Sequence, residues 1–317
     1  MKVSVCIPVY GVEKYIERCA RSLFEQTMRE DIEFIFVDDC TPDKSIDILQ
    51  KVLEEYPARQ TQVKIIRHEV NKGLTGARNT ALRHASGEYI IHCDSDDWVA
   101  SDMYETLYSK ANAENADLVC CSFALEYDNS QPVIIKLPDS LQDLIDCNLH
   151  WSLVTKLVRA SIALRPDTYS PDDLCYSEDL LRSVQIFTHV GKVVFINEAF
   201  YHYYQGNRYS YSKTFKKIFL DQQIRIVSWL EENQNRFSLL SIKGDILFHG
   251  VVRGLFAGDE VRNLWQKEHK QIVCYHGLHW VKRCVVFSAF ISYPVTVWLC
   301  RHLFAKRYGL KKKPSLE

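Results

Sequence analysis

The opening rhythm of this chain constrains its fold more than any other feature. Within the first 120 residues, short apolar runs alternate with longer stretches of helical spacing. "VSVCIPV" (3–9), "EFIFVDD" (33–39), "VKIIRH" (63–68), "EYIIHCD" (88–94) and "ADLVCC" (116–121) are nearly continuously apolar, as strands covered on both faces are. Helices are predicted between them at about 13–27, 43–56, 75–85 and 101–115. In the first of these, Ile16, Cys19, Ala20, Leu23 and Phe24 fall on one side. Thr41 as N-cap with Pro42 behind it opens the second, and Thr75 and Ser101 are candidate caps for the next two. Strand, helix and strand at this pace build an α/β fold: a mostly parallel, Rossmann-like sheet flanked by helices, with right-handed crossovers.

After residue 122 the pattern loosens. "PVIIKL" (132–137), "KVVFI" (192–196) and "AFYHYY" (199–204) read as strands, and "WSLVTKLVRASI" (151–162) and "SEDLLRSVQIF" (177–187) as amphipathic helices. From residue 213 only helical patterns appear, so the chain divides into segments 1–122, 123–212 and 213–317, the last a helical C-terminal extension.

With 47% apolar and 25% charged residues the composition is ordinary for a globular protein, and a net charge of −1 argues against a nucleic-acid binder, whose footprint is a strongly basic face. Eleven cysteines without metal-ligand spacing are expected to be reduced, in a cytoplasmic protein, and "MKVSVCIPVYG" is too strand-like for a signal peptide. Charge is uneven only near the C-terminal end. Residues 284–300 ("CVVFSAFISYPVTVWLC") carry none, whereas residues 301–313 ("RHLFAKRYGLKKK") hold six Lys or Arg and no acid. Seventeen residues broken by Pro294 are marginal for a bilayer span. The pair of stretches reads as a peripheral segment on an anionic membrane surface, the inner face of the cell membrane; the alternative is a buried helix with a solvated tail.

In a sheet of this kind, function gathers at the carboxyl ends of the strands. Pro8-Val9-Tyr10, Asp38-Asp39 and Asp94-Ser95-Asp96-Asp97 end the first, second and fourth strands, and so share one rim. Any one of these acids serves as well as a turn residue; three groups on one rim point to a ligand. Three carboxylates within four positions repel one another unless something neutralises them. An Asp-x-Asp at a strand end suits Mg2+ or Mn2+, which take oxygen ligands and keep positions open for phosphate. Asp39 can accept the N3–H of a uracil ring, and Tyr10 can stack on it. "NKGLTGARN" (71–79) sets two glycines, Lys72 and Arg78 at a helix start, either as an ordinary turn or as a diphosphate cradle.

Taken in order, "VSVCIPVYGVEKYIERCARSLFEQT", "EFIFVDDCTPDKS", "NKGLTGARNTAL" and "GEYIIHCDSDDW" resemble the family 2 glycosyltransferases of the GT-A fold, over roughly the first 120 residues. The resemblance implies a nucleotide-sugar-binding half at 1–122 and an acceptor-side half at 123–212. Pro8, Tyr10 and Asp39 then line the nucleoside pocket, Arg78 and Asp94 contact the nucleotide sugar, and Asp96 binds the metal. "YSEDLLRSVQIF" resembles the family's Glu-Asp motif, which implies Asp179 as catalytic base with Glu178 beside it; the plain alternative is an acidic helix start. "WSLVTKLVR" is similar to an acceptor-side segment carrying Trp151 and Lys156. "YHYYQGNRYSYS" is similar to a loop that closes over the donor, with Arg208 and Ser210 at the phosphates; His202 is either a further ligand or, as an imidazole among tyrosines more often is, packing. Two departures concern loop geometry: Gly11 stands where the family usually has Asn, and Cys40-Thr41 where Gly-Ser is common.

The activity so implied is a metal-dependent, inverting transfer of a hexosyl or N-acetylhexosaminyl group. It runs from a nucleoside diphosphate sugar, UDP foremost, to a hydroxyl of a saccharide or lipid-linked saccharide, as in cell-surface polysaccharide synthesis. A sugar nucleotidyltransferase would carry a glycine-rich basic loop where this chain has "PVYGVEKY". A non-catalytic nucleotide-sugar-binding scaffold on the membrane would have lost one of Asp94, Asp96 and Asp179.

Overall fold

A computed structural model of the chain describes residues 1–147, 150–207 and 216–308. They fall into two compact units, one of residues 1–139 and 149–213, the other of residues 140–148 and 214–317. In the first unit, β1 (Val3–Val9), β2 (Ile32–Asp38), β3 (Val63–Arg67) and β4 (Tyr89–His92) pair in parallel in the order β3-β2-β1-β4. They are joined by α1 (Ile16–Phe24), α2 (Ser45–Glu54) and α3 (Gly73–His84). Every residue of β1, β2 and β4 is buried, as their unbroken apolar runs require, whereas β3 at the end of the order is partly exposed. The face of α1 that meets the sheet is the predicted one: Ile16, Cys19, Ala20, Leu23 and Phe24 are all buried.

Beyond β4 the sheet becomes mixed. The two-residue β5 (Trp98–Val99), then α4 (Met103–Glu114), β6 (Leu118–Glu126) and β7 (Val133–Ile135) follow, and α5 (Leu141–Asp146) belongs to the second unit. β8 (Lys156–Arg159) lies antiparallel between β4 and β6, and leads into a single turn, α6 (Ala160–Ala163). After α7 (Glu178–His189), β9 (Val193–Tyr204) runs parallel to β6 and antiparallel to β5. β9 merges the two strands predicted at 192–204, with a register shift opposite Cys121–Phe123.

The helix predicted over 151–162 does not form. A 3-10 turn occupies 153–155 and β8 follows it, because the strand satisfies its backbone against Tyr89–Ile90 on one side and Leu118–Cys120 on the other. Nor do the three predicted caps hold. α2 starts only at Ser45, whose N–H donates to Asp43 Oδ1 (3.1 Å), while Thr41 Oγ1 accepts from the Gly11 N–H (2.9 Å). α3 starts at Gly73, whose N–H donates to Asn71 Oδ1 (3.1 Å), and α4 starts beyond Ser101 at Met103.

At the edge of the sheet remote from the rim, one buried carboxylate ties four segments together. Glu33 Oε1 accepts from Ser4 Oγ (2.6 Å), Ser86 N (2.7 Å) and Ser86 Oγ (2.8 Å), and Glu33 Oε2 meets Lys64 Nζ at 2.7 Å. Burial pushes this carboxyl up, but Lys64 and the three donors more than offset it and hold it below the usual glutamate range. Gly87 closes the node, donating its N–H to Ser4 Oγ (2.8 Å). A Cβ at Gly87 would stand 2.6 Å from Ser4 N and 2.8 Å from the Val3 carbonyl carbon, both backbone atoms of the fully buried β1. Gly87→Ala is therefore expected to destabilise the protein by about 3 kcal/mol, read as a lowered urea midpoint; an unchanged midpoint would mean that this edge of the sheet is loose.

Among the described residues of the second unit the regular elements are helices: α5, α8 (Lys217–Asn233), α9 (Leu240–Val252), α10 (Gly258–Asn263), a 3-10 turn (Gln266–Glu268), α11 (His269–Cys274) and α12 (Trp280–Tyr308). α12 breaks at Ser292 (φ −148°, ψ 88°), two residues before Pro294, whose ring disfavours helical backbone just ahead of it.

Candidate active site

The rim forms where β1, β2 and β4 end, and α3 brings the start of α7 to it. Thr75, Arg78 and Asn79 lie one helical turn apart on α3 and grip the segment that leads into α7. Thr75 Oγ1 donates to Leu174 O (2.6 Å), and Asn79 Nδ2 donates to Ser170 O and Asp172 Oδ1 (both 2.8 Å). Arg78 makes the central link. Its Nη1 donates to Glu178 Oε1 (2.5 Å) and its Nη2 to Asp94 Oδ1 (2.6 Å), so one buried guanidinium joins the end of β4 to the first residue of α7. Both terminal nitrogens of Arg78 hold protein carboxylates here.

Asp39 is buried where β2 ends. Its Oδ1 accepts from His68 Nδ1 (2.7 Å) and from the Lys72 N–H (2.8 Å), which leaves Oδ2 without a hydrogen bond among the described residues. His68 is steadied through Nε2 by Thr80 Oγ1 at 2.9 Å. Nothing in the sequence reading marked His68; the only signal was a histidine directly after the third apolar run. The loops beside Asp39 explain the two departures at positions 11 and 40. Gly11 has φ +67°, a region where asparagine is the best tolerated alternative, and Cys40 has φ +58°, where glycine fits without strain. Tyr10 is half exposed. Pro8 is buried within β1; its carbonyl accepts from Ser95 Oγ (2.7 Å) and so steadies the acidic turn.

The three acids of that turn divide their tasks. Asp97 is fully buried and turned inward, accepting from the Tyr201 hydroxyl (2.6 Å) and the Tyr204 N–H (2.8 Å), so it anchors β9 and is not one of the acids awaiting a cation. Burial, with Asp96 and Asp94 nearby, pushes its carboxyl well up. Asp94 meets Arg78, and Asp96 accepts from Asn207 Nδ2 (2.8 Å). Burial and the charge of Asp94 raise the Asp96 carboxyl above the usual range. Arg18 braces the turn from α1: its Nη2 donates to Asp96 O (3.0 Å) and its guanidinium lies 3.7 Å from the centre of the Trp98 ring. His202 stacks on Trp98 (5.2 Å) and pairs with Glu126 (2.7 Å).

Asp179 is half buried, its Oδ1 accepting from the Leu180 N–H (2.8 Å). Ser177, just before the acid pair, takes φ +58°. Burial pushes both the Glu178 and the Asp179 carboxyls up, against the charge of Arg78. Trp151 and Lys156, expected on the acceptor side, are both buried. Lys156 Nζ donates to His150 O (2.6 Å) and Ser152 O (2.5 Å), and the Trp151 carbonyl accepts from Ser183 Oγ (2.7 Å). Their burial corrects the expectation of direct acceptor contacts for these two side chains. Arg208 and Ser210 lie outside the described residues.

Comparison with known proteins bears on the family and the fold. The Glycosyl transferase family 2 model matches residues 4–144. The uncharacterized glycosyltransferase EpsJ of Bacillus subtilis is 30% identical over 63% of this chain and 60% of its own length. A poly(ribitol-phosphate) beta-glucosyltransferase of Bacillus spizizenii is 32% identical over 64% of this chain and 32% of its own length. The chain thus spans less than two thirds of each of these relatives. Among solved structures, Staphylococcus aureus TarS 1–349 in complex with UDP-GlcNAc superimposes with a TM-score of 0.70 at 20% identity, over 99% of this chain and 93% of that one, which shows a shared GT-A fold. By the family model over residues 4–144 and by these relatives, the chain is similar to the family 2 glycosyltransferases.

Proposed function

We propose that this chain moves a sugar from a nucleoside diphosphate sugar, UDP foremost, to an acceptor hydroxyl with inversion at the anomeric carbon. The observation that carries the reading is the Arg78 fork, which holds an acid of the β4 turn and the acid pair of α7 at one rim. Asp39, with Oδ2 available, takes the N3–H of the uracil, and Tyr10 covers the ring. Asp179 draws the proton from the acceptor hydroxyl as that oxygen bonds to the anomeric carbon. The bond from that carbon to the diphosphate breaks, and its electron pair leaves with UDP. A base whose carboxyl is raised by burial is the stronger proton acceptor for this task. UDP-GlcNAc in the TarS complex supports a uridine donor on this fold. The sugar and the acceptor, a saccharide or a lipid-linked saccharide of a cell-surface polymer, belong to the same proposal.

Among the described residues no three His, Cys, Asp or Glu side chains converge as a ligand set. A Mg2+ or Mn2+ ion that takes one or two carboxylates and fills its other positions with phosphate oxygens and water still fits Asp96, with Asp94 beside it. When bound, such an ion neutralises the charge that develops on the departing diphosphate. The test is calorimetry with UDP, with and without Mn2+, on wild type and Asp96→Ala. Binding that requires Mn2+ and disappears in the variant is expected. Equal UDP binding by the two proteins would remove Asp96 from the metal site, and no UDP binding at all would overturn the uridine assignment.

A further inference from the structure

The face that α12 turns away from the other helices of the second unit is unusually apolar. Trp280 (64% exposed), Phe287, Ile291 (71%), Val295, Trp298 (59%) and Leu303 (74%) all stand in solvent, spaced so that most fall on one side of the helix. A stripe of this kind marks a surface that something covers.

The opposite face is engaged. Val286, Ala289, Thr296 and Cys300 are buried, the Tyr293 hydroxyl donates to Phe256 O, and the Phe290 ring stacks on His269 (3.6 Å). Near the start of the helix, Lys282 Nζ holds both oxygens of the buried Asp245 on α9 (2.7 and 2.8 Å). Trp280–Cys300 is long and apolar enough to cross a bilayer. Crossing, however, would strip this face from the core of the second unit and carry an ion pair into hydrocarbon.

We infer that α12 docks in the plane of an anionic lipid bilayer, seating its outer stripe among the acyl chains while its inner stripe stays packed on the protein. Charge selects this occupant over a second copy of the chain. The sequence following the stripe holds six Lys or Arg between residues 301 and 313 and no acid. A bilayer of anionic lipid meets that run with opposite charge, whereas a second copy would bring its own basic run against it. Two tryptophans in the exposed stripe suit the depth of the headgroups, where an amphipathic ring is favoured. Pro294 and the break at Ser292 let the two halves of the helix follow one surface independently. The inference is independent of the reaction proposed above.

Co-sedimentation of the full chain with vesicles tests it. Wild type is expected to pellet with phosphatidylglycerol-containing vesicles, to bind pure phosphatidylcholine at least ~10-fold more weakly, and to be released by alkaline carbonate. The triple variant Phe287→Ser, Ile291→Ser, Val295→Ser should lose at least ~10-fold in vesicle binding. All three side chains are exposed, so its melting temperature should match wild type. Vesicle binding by the variant equal to wild type would overturn the stripe's role, and resistance to carbonate would overturn docking in favour of a span. A wild-type dimer in light scattering that the variant renders monomeric, with no vesicle binding by either, would assign the stripe to a second copy.

Discussion

Asp179→Asn is expected to lower kcat by about 10^3 while leaving UDP affinity unchanged. The amide keeps the size of the carboxylate and can still accept the Leu180 N–H, but it cannot take the acceptor's proton. The Asp94–Arg78–Glu178 link that shapes the rim is untouched by the change. The pH profile separates a base from a merely structural acid. Burial raises the Asp179 carboxyl in spite of Arg78, and a base works only when ionised. Wild-type activity should therefore fall, as pH is lowered, at a higher pH than an ordinary aspartate would give. That acid limb reports the Glu178–Asp179 pair together, because both carboxyls are raised and each feels the other. In the variant the limb should be lost along with the activity. Retention of activity to within about tenfold, or an unchanged limb, would move the base to another residue.

The largest loss of stability is expected from Arg78→Met, about 3–5 kcal/mol. Methionine fills most of the space but leaves Asp94 and the buried Glu178 without their partner, and an uncompensated buried charge is far more harmful than the absence of an ion pair. The sign of the pH dependence follows. Without the guanidinium the folded carboxyls bind protons more tightly than the unfolded ones do, so stability falls as pH rises through the gap between the two. The deficit, read from urea midpoints, should be larger at about pH 7.5 than at about pH 5. A deficit that is the same at both would show that lost packing, not unpaired charge, dominates. Because the same fork brings β4 and α7 together, the variant should also lose catalytic activity at temperatures where it is still folded.

The first 120 residues were legible because their elements are local and strongly patterned. Runs such as "VSVCIPV" can be satisfied only with both faces covered, and the five-residue apolar face of α1 is the one the structure buries. Reading failed where a partner far away in sequence decided the outcome. Residues 151–162 have helical spacing, yet Lys156–Arg159 form a strand because β4 and β6 leave a vacant ladder between them. Lys156, expected on the acceptor side, is instead buried on two carbonyls. His68 went unnoticed because nothing local distinguishes a histidine that steadies Asp39 from one in any loop.

What the sequence by itself determined was chemistry and order: acids at three strand ends, a basic glycine-rich helix start, an acid pair later on, and a basic run after an uncharged stretch. These follow from composition and periodicity, which are properties of neighbours along the chain. Only the tertiary structure decided which acids remain for a ligand. Asp97 is consumed by Tyr201 and Tyr204, Asp39 keeps one oxygen, and Arg78 gives both terminal nitrogens to Asp94 and Glu178. It also decided which side of α12 faces outward, since both sides are apolar and hydropathy cannot tell the packed one from the exposed one. The physical reason is the same in each case. A polar or apolar group is defined by its partner, and partners dozens of residues apart are brought together only by the fold.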